Sequence, residues 1–563
     1  MLARYIPALT WLHAYQRDDF KSDFSAGLTV AIMLVPQGMA YAMLAGLPPV
    51  IGLYACTLPL IVYALFGTSR QLAVGPVAMV SLLASVGVSK LAGPGSQEYV
   101  SLVLLLTFMT GVLQLLLGVL RMGFVVNFLS HAVISGFTSA AAIVIGLSQL
   151  KHLLGIPLES QENIFALLYE AGRKIHQAHL LTFLIGVSSI AILLWFKKKR
   201  SRFPAPLVIV FFGSLEVFAF HLEQYGVKIV GKVPQGIPSP SFPAFSLSSM
   251  EALLPAAITI VFVGFLESFA VAQSIATKER YKVDANQELL GLGAANLASA
   301  LFSGYVVTGG FSRTAVNYQA GARTGLASII TAIFIILTLL FFTPLFYYLP
   351  NAVLAAIVMV AVSGLIDVQE LRHLFRLKPV DGWTLALTFA CTLILGIENG
   401  ILIGVIFSLL VFIWRSSHPH TAELGYVKAE NAFLNVKRFP EAQTFSNALI
   451  LRVDASMFFA NTRFIENHLR NCLVDRPAVK YVIFDLSGVN DIDAVALHSL
   501  HELVHEFRKQ GIEFAFAGMK GPVRDLFEKA GWQEKCGHKI AYHTLSQVLN
   551  DLGLMSNSGL HKP

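Results

Sequence analysis

Charge is what this sequence has least of. Only 13% of its 563 residues are Asp, Glu, Lys or Arg, about half the share of an ordinary soluble domain, while 55% are hydrophobic and the mean hydropathy is +0.65. A soluble chain of this length needs far more polar surface, so the balance indicates a polytopic membrane protein. Cysteine is scarce too: Cys56, Cys391, Cys472 and Cys536 are widely scattered, which excludes zinc spacing, a CxxC motif and a disulfide framework. No RNA- or DNA-binding motif accompanies the net charge of +7, so the excess reads as loop bias beside a bilayer and not as a nucleic-acid footprint. No nucleophile–base pair or metal cluster stands out, and no catalytic residue, metal or cofactor is assigned. His498, His501 and His505 fall on a predicted helix as a solvated face. The N-terminus lacks a short apolar core with a small-residue cleavage site. Arg4, Arg17, Asp18, Asp19 and Lys21 precede the first long apolar run, as in a cytoplasmic tail.

What is present is a succession of apolar runs, near 25–45, 50–67, 74–90, 99–120, 124–149, 179–196, 204–221, 252–275, 286–303, 310–322, 325–348, 350–366, 382–397 and 399–415. They predict about fourteen α-helical spans. Basic residues test the count. Lys197–Arg202, Lys278–Lys282, Arg372–Lys378 and Arg415, with Arg70, Arg121 and Arg323, all follow even-numbered spans, which puts both termini in the cytoplasm under the positive-inside rule. The stretch Lys151–Lys174 is mixed in sign and long enough for an amphipathic surface helix. Beyond about residue 420 the pattern changes. Strand-like runs at Ala448–Val453, Tyr481–Leu486 and Glu513–Gly518 alternate with helical patterns at Phe459–Val474, Ala494–Gln510 and Val523–Ala530, which predicts a small α/β domain with a largely parallel sheet.

Two spans are broken at their starts. The third opens with QLAVGPVAM, Gln71–Met79, and the tenth with VTGGFSRTA, Val307–Ala315. Pro76 suits the first turn of a helix, and Gly309 and Gly310 let the chain run unwound before Phe311. These segments lie seven spans apart, and an odd number of spans per repeat makes the second half inverted. Interrupted segments at matching positions of inverted halves point to a transporter substrate site, with two helix N-termini opposed near the midplane and suited to an anion. The competing reading is close helix packing at the glycines.

Arg313 carries a permanent charge into this region, at a cost of roughly 2.5 kcal/mol or more at a helix centre. An anion would offset that cost, and so would a structural ion pair or snorkelling towards the cytoplasmic end. Beside it Ser312 is a donor to the anion or a hydroxyl bonded back to its own helix. Glu267, in VGFLESFAVAQ, is the one acid inside the eighth span. It is a carrier of a coupled proton or a static partner of Arg313. Gln37 and Tyr41, at i and i+4 on the first span, are donors to an oxyanion or ordinary helix–helix hydrogen-bonding groups.

These motifs resemble the sulfate permease family, the SulP or SLC26 anion transporters. The resemblance rests on VPQGMAYAMLAGLPPVIGLYAC (Val35–Cys56), FGTSR (Phe66–Arg70), NQELLGLGAAN (Asn286–Asn296), GGFSRTAVN (Gly309–Asn317) and the C-terminal domain, with Ile51 where tyrosine is usual. It implies a fourteen-helix membrane domain of two inverted seven-helix repeats, split into core and gate, acting by alternating access as a homodimer. It also implies an anion site at Ala73, Val74, Gly75, Pro76, Val77, Phe311, Ser312 and Arg313, with Gln37 and Tyr41, and proton coupling through Glu267. The tail resembles a STAS domain, the fold of anti-sigma-factor antagonists, whose phosphorylated hydroxyl follows an aspartate at a helix start. Here Asp493 is retained and Ala494 replaces the hydroxyl, so the domain is expected to serve dimerisation, trafficking or docking of a cytoplasmic protein. The implied division is an N-terminal cytoplasmic segment at 1–22, a transmembrane anion-transport domain at 23–418, a STAS domain at 425–552 and a tail at 553–563.

The functional expectation is secondary active transport of an inorganic anion across the cell (inner) membrane, with sulfate:proton symport first. Bicarbonate, chloride exchange and dicarboxylate remain open within the same fold. A different class, a non-transporting sensor or scaffold acting through the STAS domain, would not need the broken-helix pair with Arg313 and Glu267.

Overall fold

Apolar length decides most of the architecture. The computed structural model describes residues 6–13, 15–124, 130–158, 164–199, 205–474, 476–532, 542–554 and 560–561. Arg4, Arg200, Arg202 and Cys536 lie outside the described residues, as do parts of the Lys151–Lys174 stretch and of the tail. The chain divides into two units, Met1–Ser408 and Leu409–Pro563.

Fourteen helices among the described residues take the places of the expected spans. They are α1 (Arg17–Leu44), α2 (Pro49–Phe66), α3 (Ala78–Ser89), α4 (Gln97–Val119), α5 (His131–Leu153), α6 (Leu180–Lys198), α7 (Ala205–Phe220), α8 (Leu247–Lys278), α9 (Ala285–Leu301), α10 (Phe311–Gln319), α11 (Leu326–Phe346), α12 (Asn351–Ser363), α13 (Pro379–Leu395) and α14 (Asn399–Ser417). The 32 residues of α8 make it roughly 48 Å long at 1.5 Å per residue, well beyond the hydrocarbon thickness. By contrast α3 has 12 residues and α10 only 9. The apolar runs that predicted them begin earlier because their first residues form two short strands, β1 (Val74–Gly75) and β2 (Thr308–Gly309). In α11 regular helix stops at Leu337 and passes through a π turn into a 3₁₀ turn at Thr343–Phe346, where Pro344 cannot donate to the ladder.

Helices α1–α4 pack with α8–α11, and α5–α7 pack with α12 and α5 with α13, while α1 also touches α7 and α12 and α3 touches α5; α14 lies against α13, Gly400 and Gly404 meeting Thr392 and Thr388. These two groups are the core and the gate. Broken segments occur at the third and the tenth positions, so the two seven-helix repeats run in opposite senses through the membrane.

Two carboxylates that are fully buried hold the loops beside the broken segments. Glu288 on α9 accepts from Tyr63 Oη at 2.6 Å, from both the backbone N–H and Oγ1 of Thr68 at 2.6 Å, and from Ser69 N–H at 3.1 Å. Asp23 on α1 accepts from Arg323 N–H at 2.7 Å, Thr324 N–H at 3.1 Å and Thr324 Oγ1 at 2.5 Å. A buried acid with this many donors is held in place by them.

The second unit carries a five-stranded sheet in the order β4-β3-β6-β7-β8. Its strands are β3 (Thr421–Val427), β4 (Ala432–Asn435), β6 (Ala448–Val453), β7 (Tyr481–Asp485) and β8 (Glu513–Ala517); a separate short strand, β5 (Thr444–Phe445), precedes β6. The expected strands β6, β7 and β8 are parallel, whereas β3 and β4 add antiparallel neighbours. Side chains alternate between two faces, as strand geometry requires. Leu449, Leu451, Phe484, Phe514 and Phe516 fill one core, and Ala448, Ile450, Ile483, Ala515 and Ala517 fill the other. Helices α15 (Thr462–Val474), α16 (Ala494–Lys509) and α17 (Gly521–Lys529) supply the first core. Asp493 caps α16, accepting from Ala496 N–H at 2.6 Å and from Phe459 N–H at 2.9 Å. His498 and His505 are exposed as expected, but His501 is half-buried with its ring edge-on to Trp532 at 5.7 Å.

Replacing Glu288 by Gln sets an amide group among donors that need an acceptor. We expect a loss of about 1–3 kcal/mol, seen as a lower melting midpoint of the detergent-purified protein by intrinsic fluorescence. A wild-type midpoint would show that the loop at Thr68–Ser69 does not depend on the acid.

Candidate functional site

The site begins with a backbone problem. A helix that starts inside the bilayer leaves its first N–H groups without partners, and α3 and α10 both start there. Their approaches solve part of it by pairing. Val74 lies opposite Gly309 and Gly75 opposite Thr308 in an antiparallel ladder. Each strand then runs into its helix, so the two helices leave the ladder in opposite directions. Pro76 lies just before α3, which starts at Ala78 after the extended residue Val77, and not in the first turn as its sequence position suggested. The ladder claims Val74 and Gly75, and Pro76 and Val77 continue the strand's exit, so the helix starts two residues after Pro76.

Side chains finish the ladder. Thr314 Oγ1 accepts from Ala73 N–H at 3.0 Å, and Asn317 Nδ2 donates to Gln71 O at 2.8 Å. Asn296 on α9 treats Val307 as a strand partner, accepting from its N–H at 2.8 Å and donating to its carbonyl at 3.0 Å. From α8, Ser268 Oγ accepts from Gly309 N–H at 2.7 Å and meets Thr308 Oγ1 at 2.5 Å, while Thr308 Oγ1 donates to Gly264 O at 2.6 Å. Thus α8, which carries Glu267, is fastened directly to β2. The first turns themselves are different: neither Val77 nor Gly310 supplies a side-chain cap. Their N–H groups, with the positive helix ends, form a cradle suited to an anion.

Arg313 is the third residue of α10 and only 1% exposed. Its side chain does not snorkel. Nη1 donates to the Pro76 carbonyl at 2.6 Å, across the ladder, while Nε and Nη2 are buried with no hydrogen-bond partner. Nor is it in an ion pair with Glu267, whose Oε2 is likewise buried without a partner. The bond to Pro76 takes the place of that ion pair, one of the readings the sequence left open, because the break in the chain presents a carbonyl that no helix claims. Tyr41, Glu267 and Arg313 remain within electrostatic reach of one another. Gln37, one turn before Tyr41 and 3% exposed, also has a buried orphan oxygen, Oε1. Ala73, Val74, Gly75, Pro76 and Val77 are all buried in the ladder and its exit. Phe311 and Ser312, the first two residues of α10, are exposed, Phe311 by 60%.

Two glycines make room for the guanidinium. At Gly310 an added Cβ would lie 2.8 Å from Nη2 of Arg313, and Gly75 has φ +152° with its Cβ position 3.4 Å from the same nitrogen. Few side chains adopt that φ. Sequence reading singled out the cradle and Arg313 but missed Ser268, Asn296 and Asn317 as its fasteners. Their signal was present: each is a polar side chain inside an apolar helix.

The chain matches the sulfate permease family over residues 20–388 and the STAS domain over residues 439–547. It belongs to the sulfate permease family. Among members, it is 42% identical to the probable sulfate transporter 4.2 of Arabidopsis thaliana over 564 residues, covering 96% of this chain and 83% of that one. It is 35% identical to the high affinity sulfate transporter 2 of Stylosanthes hamata over 569 residues, covering 97% and 86%. In structure it is similar to the murine Slc26a9 anion transporter in the inward-facing state, with TM-score 0.90 and 25% identity over 98% of this chain and 94% of that one. The fold of this sulfate permease family member is thus a membrane-embedded helical core and gate with a C-terminal STAS domain.

Gly310→Ala tests the packing under Arg313. The added methyl displaces the guanidinium from Pro76 O, and we expect sulfate, used as a probe, to bind about tenfold more weakly by calorimetry in detergent, with protein yield unchanged. Unaltered affinity would mean that the side chain's placement is irrelevant to anion binding.

Proposed function

We propose that this protein carries an inorganic anion, sulfate in the first place, across a membrane by alternating access with protons as the coupling ion. One observation carries the reading: Arg313 is buried between two uncapped helix starts with two N–H-bearing atoms unpartnered. An unsatisfied buried donor costs about 1–3 kcal/mol, and more when charged, so a tetrahedral oxyanion at the cradle would relieve a strain already present. The names of the relatives, sulfate transporters of two plants, support sulfate over other oxyanions.

In this mechanism the anion accepts hydrogen bonds from the first-turn N–H groups of α3 and α10. Nε and Nη2 of Arg313 tune the charge behind them, and Gln37, Tyr41 and Ser312 complete the lining with Phe311. Glu267 takes up the proton. Sulfate enters as a dianion, and protons moving with it reduce the charge that must cross the membrane potential. Ser268 fastens α8 to β2, so protonation at the neighbouring Glu267 is felt at the cradle. The core, stiffened by its ladder, moves against the gate and exposes the anion to either side in turn. The reading also takes both termini as cytoplasmic, from the basic residues after even-numbered helices. It takes the working unit as a homodimer and the STAS domain as a docking module, both on the family resemblance.

The test is uptake of labelled sulfate into proteoliposomes, with and without an inward proton gradient and with bicarbonate, chloride and dicarboxylates as competitors. We expect the gradient to drive accumulation and sulfate to outcompete the others; a gradient without effect refutes symport. Glu267→Gln should abolish gradient-driven accumulation while sulfate still binds, and retained gradient dependence removes Glu267 from the mechanism. Arg313→Ala should weaken sulfate binding about 10- to 100-fold, the worth of a charge-assisted hydrogen bond.

A further inference from the structure

Between α12 and α13 the chain forms a short helix, Val368–Leu377, VQELRHLFRL, that has no buried residue. Its start is tied down. Asp367 caps it by accepting from Glu370 N–H at 2.9 Å, Asp367 N–H donates to Ser139 Oγ at 3.2 Å, and Glu370 Oε1 lies 3.4 Å from His131 Nε2. Its end folds back on α13, where a Cβ on Gly382 would touch the Phe375 ring at 2.7 Å, and Phe375 meets Trp383 edge to face at 5.5 Å. This leaves Val368, Leu377 and Trp383 exposed by 55%, 66% and 63%, beside exposed Arg372, Arg376 and Lys378. Among the described residues none of these three cations is in an ion pair. A second basic element comes alongside from α6. Lys197 Nζ lies 3.6 Å from the Cβ position of Gly364, just ahead of the helix, followed by exposed Lys198 and by Lys199 over the Trp195 ring at 4.2 Å.

We propose that Val368–Leu377, with the end of α6, is a binding surface for anionic phospholipid headgroups in the leaflet that carries the chain's basic residues. An amphipathic helix with large apolar side chains on one side and arginines on the other lies in the plane of the interface. Exposed tryptophans beside it, Trp195 and Trp383, are the side chains that settle at headgroup level. Charge selects the lipid: Arg372, Arg376 and Lys378 are exposed along and just after the helix, Lys197 reaches the turn ahead of it at Gly364, and of the acids there Asp367 caps the helix, Glu370 faces His131 and Asp381 sits in the first turn of α13. All of these residues belong to the gate. A gate moored to headgroups stays fixed in the bilayer plane while the core moves.

The full-length protein is reconstituted into bilayers of phosphatidylcholine alone or with phosphatidylglycerol, re-extracted gently, and its retained lipids are counted by native mass spectrometry. Wild type is expected to retain phosphatidylglycerol over phosphatidylcholine, with the preference falling as salt rises. Each neutralisation, R372Q, R376Q or K378Q, should cut it by about fivefold, the effect of one cation near an anionic surface. R376K should keep the preference, and the melting midpoint of each variant in zwitterionic detergent should match wild type. No preference in the wild type, or one that survives all three neutralisations together, overturns the proposal. Loss of preference in R376K as well would assign the effect to folding of the helix and overturn it too.

Discussion

Everything in the membrane unit depends on keeping backbone polar groups bonded at a depth where water is scarce. Two helices that begin inside the bilayer violate the simplest solution, a continuous span. The protein answers with a ladder only two residues long, Val74–Gly75 against Thr308–Gly309. So short a ladder would not hold by itself. Thr314, Asn317, Asn296 and Ser268 extend it by standing in for backbone groups on either side. Left over beside the ladder are the first-turn N–H groups of α3 and α10, two nitrogen atoms of Arg313, and one side-chain oxygen each of Gln37, Glu267 and Asn317.

Most of the membrane architecture could be read from the sequence because long apolar runs carry their own length standard. The broken segments were legible for a related reason, since glycine and proline at matching places of an odd-numbered repeat have few other uses. The ladder was not legible. Two residues show no periodicity, and the helix starts were accordingly placed too early. Of the readings left open for Arg313, the ion pair with Glu267 does not form, for a geometric reason: a long side chain chooses among acceptors in three dimensions, and the Pro76 carbonyl across the ladder lies within 2.6 Å. In the second unit β6, β7 and β8 stood out as short apolar runs, whereas β3 and β4, in TAELGYVKAENAFLN, are interrupted by charges and a glycine.

The contrast between core and gate is also one of chemistry. In the core, Ser268, Asn296, Thr314 and Asn317 on α8, α9 and α10 bond to the strand backbone, although Thr107 and Thr110 on α4 return their hydroxyls to their own helix. In the gate, Thr384, Thr388 and Thr392 are buried too, but each returns its hydroxyl to the carbonyl four residues earlier on α13.

The two buried acids carry a further consequence, for the order in which the molecule can be made. Asp23, from the first repeat, holds the loop Arg323–Thr324 of the second, and Glu288, from the second, holds the loop Thr68–Ser69 of the first. During synthesis the first seven helices emerge with Asp23 lacking its donors from Arg323 and Thr324, though not the Tyr15 hydroxyl, and with Thr68 and Ser69 lacking their acceptor. The first half of the cradle is therefore unfinished until α9 and α10 have entered the membrane. Neither repeat completes its own loop contacts, since each relies on an acid supplied by the other.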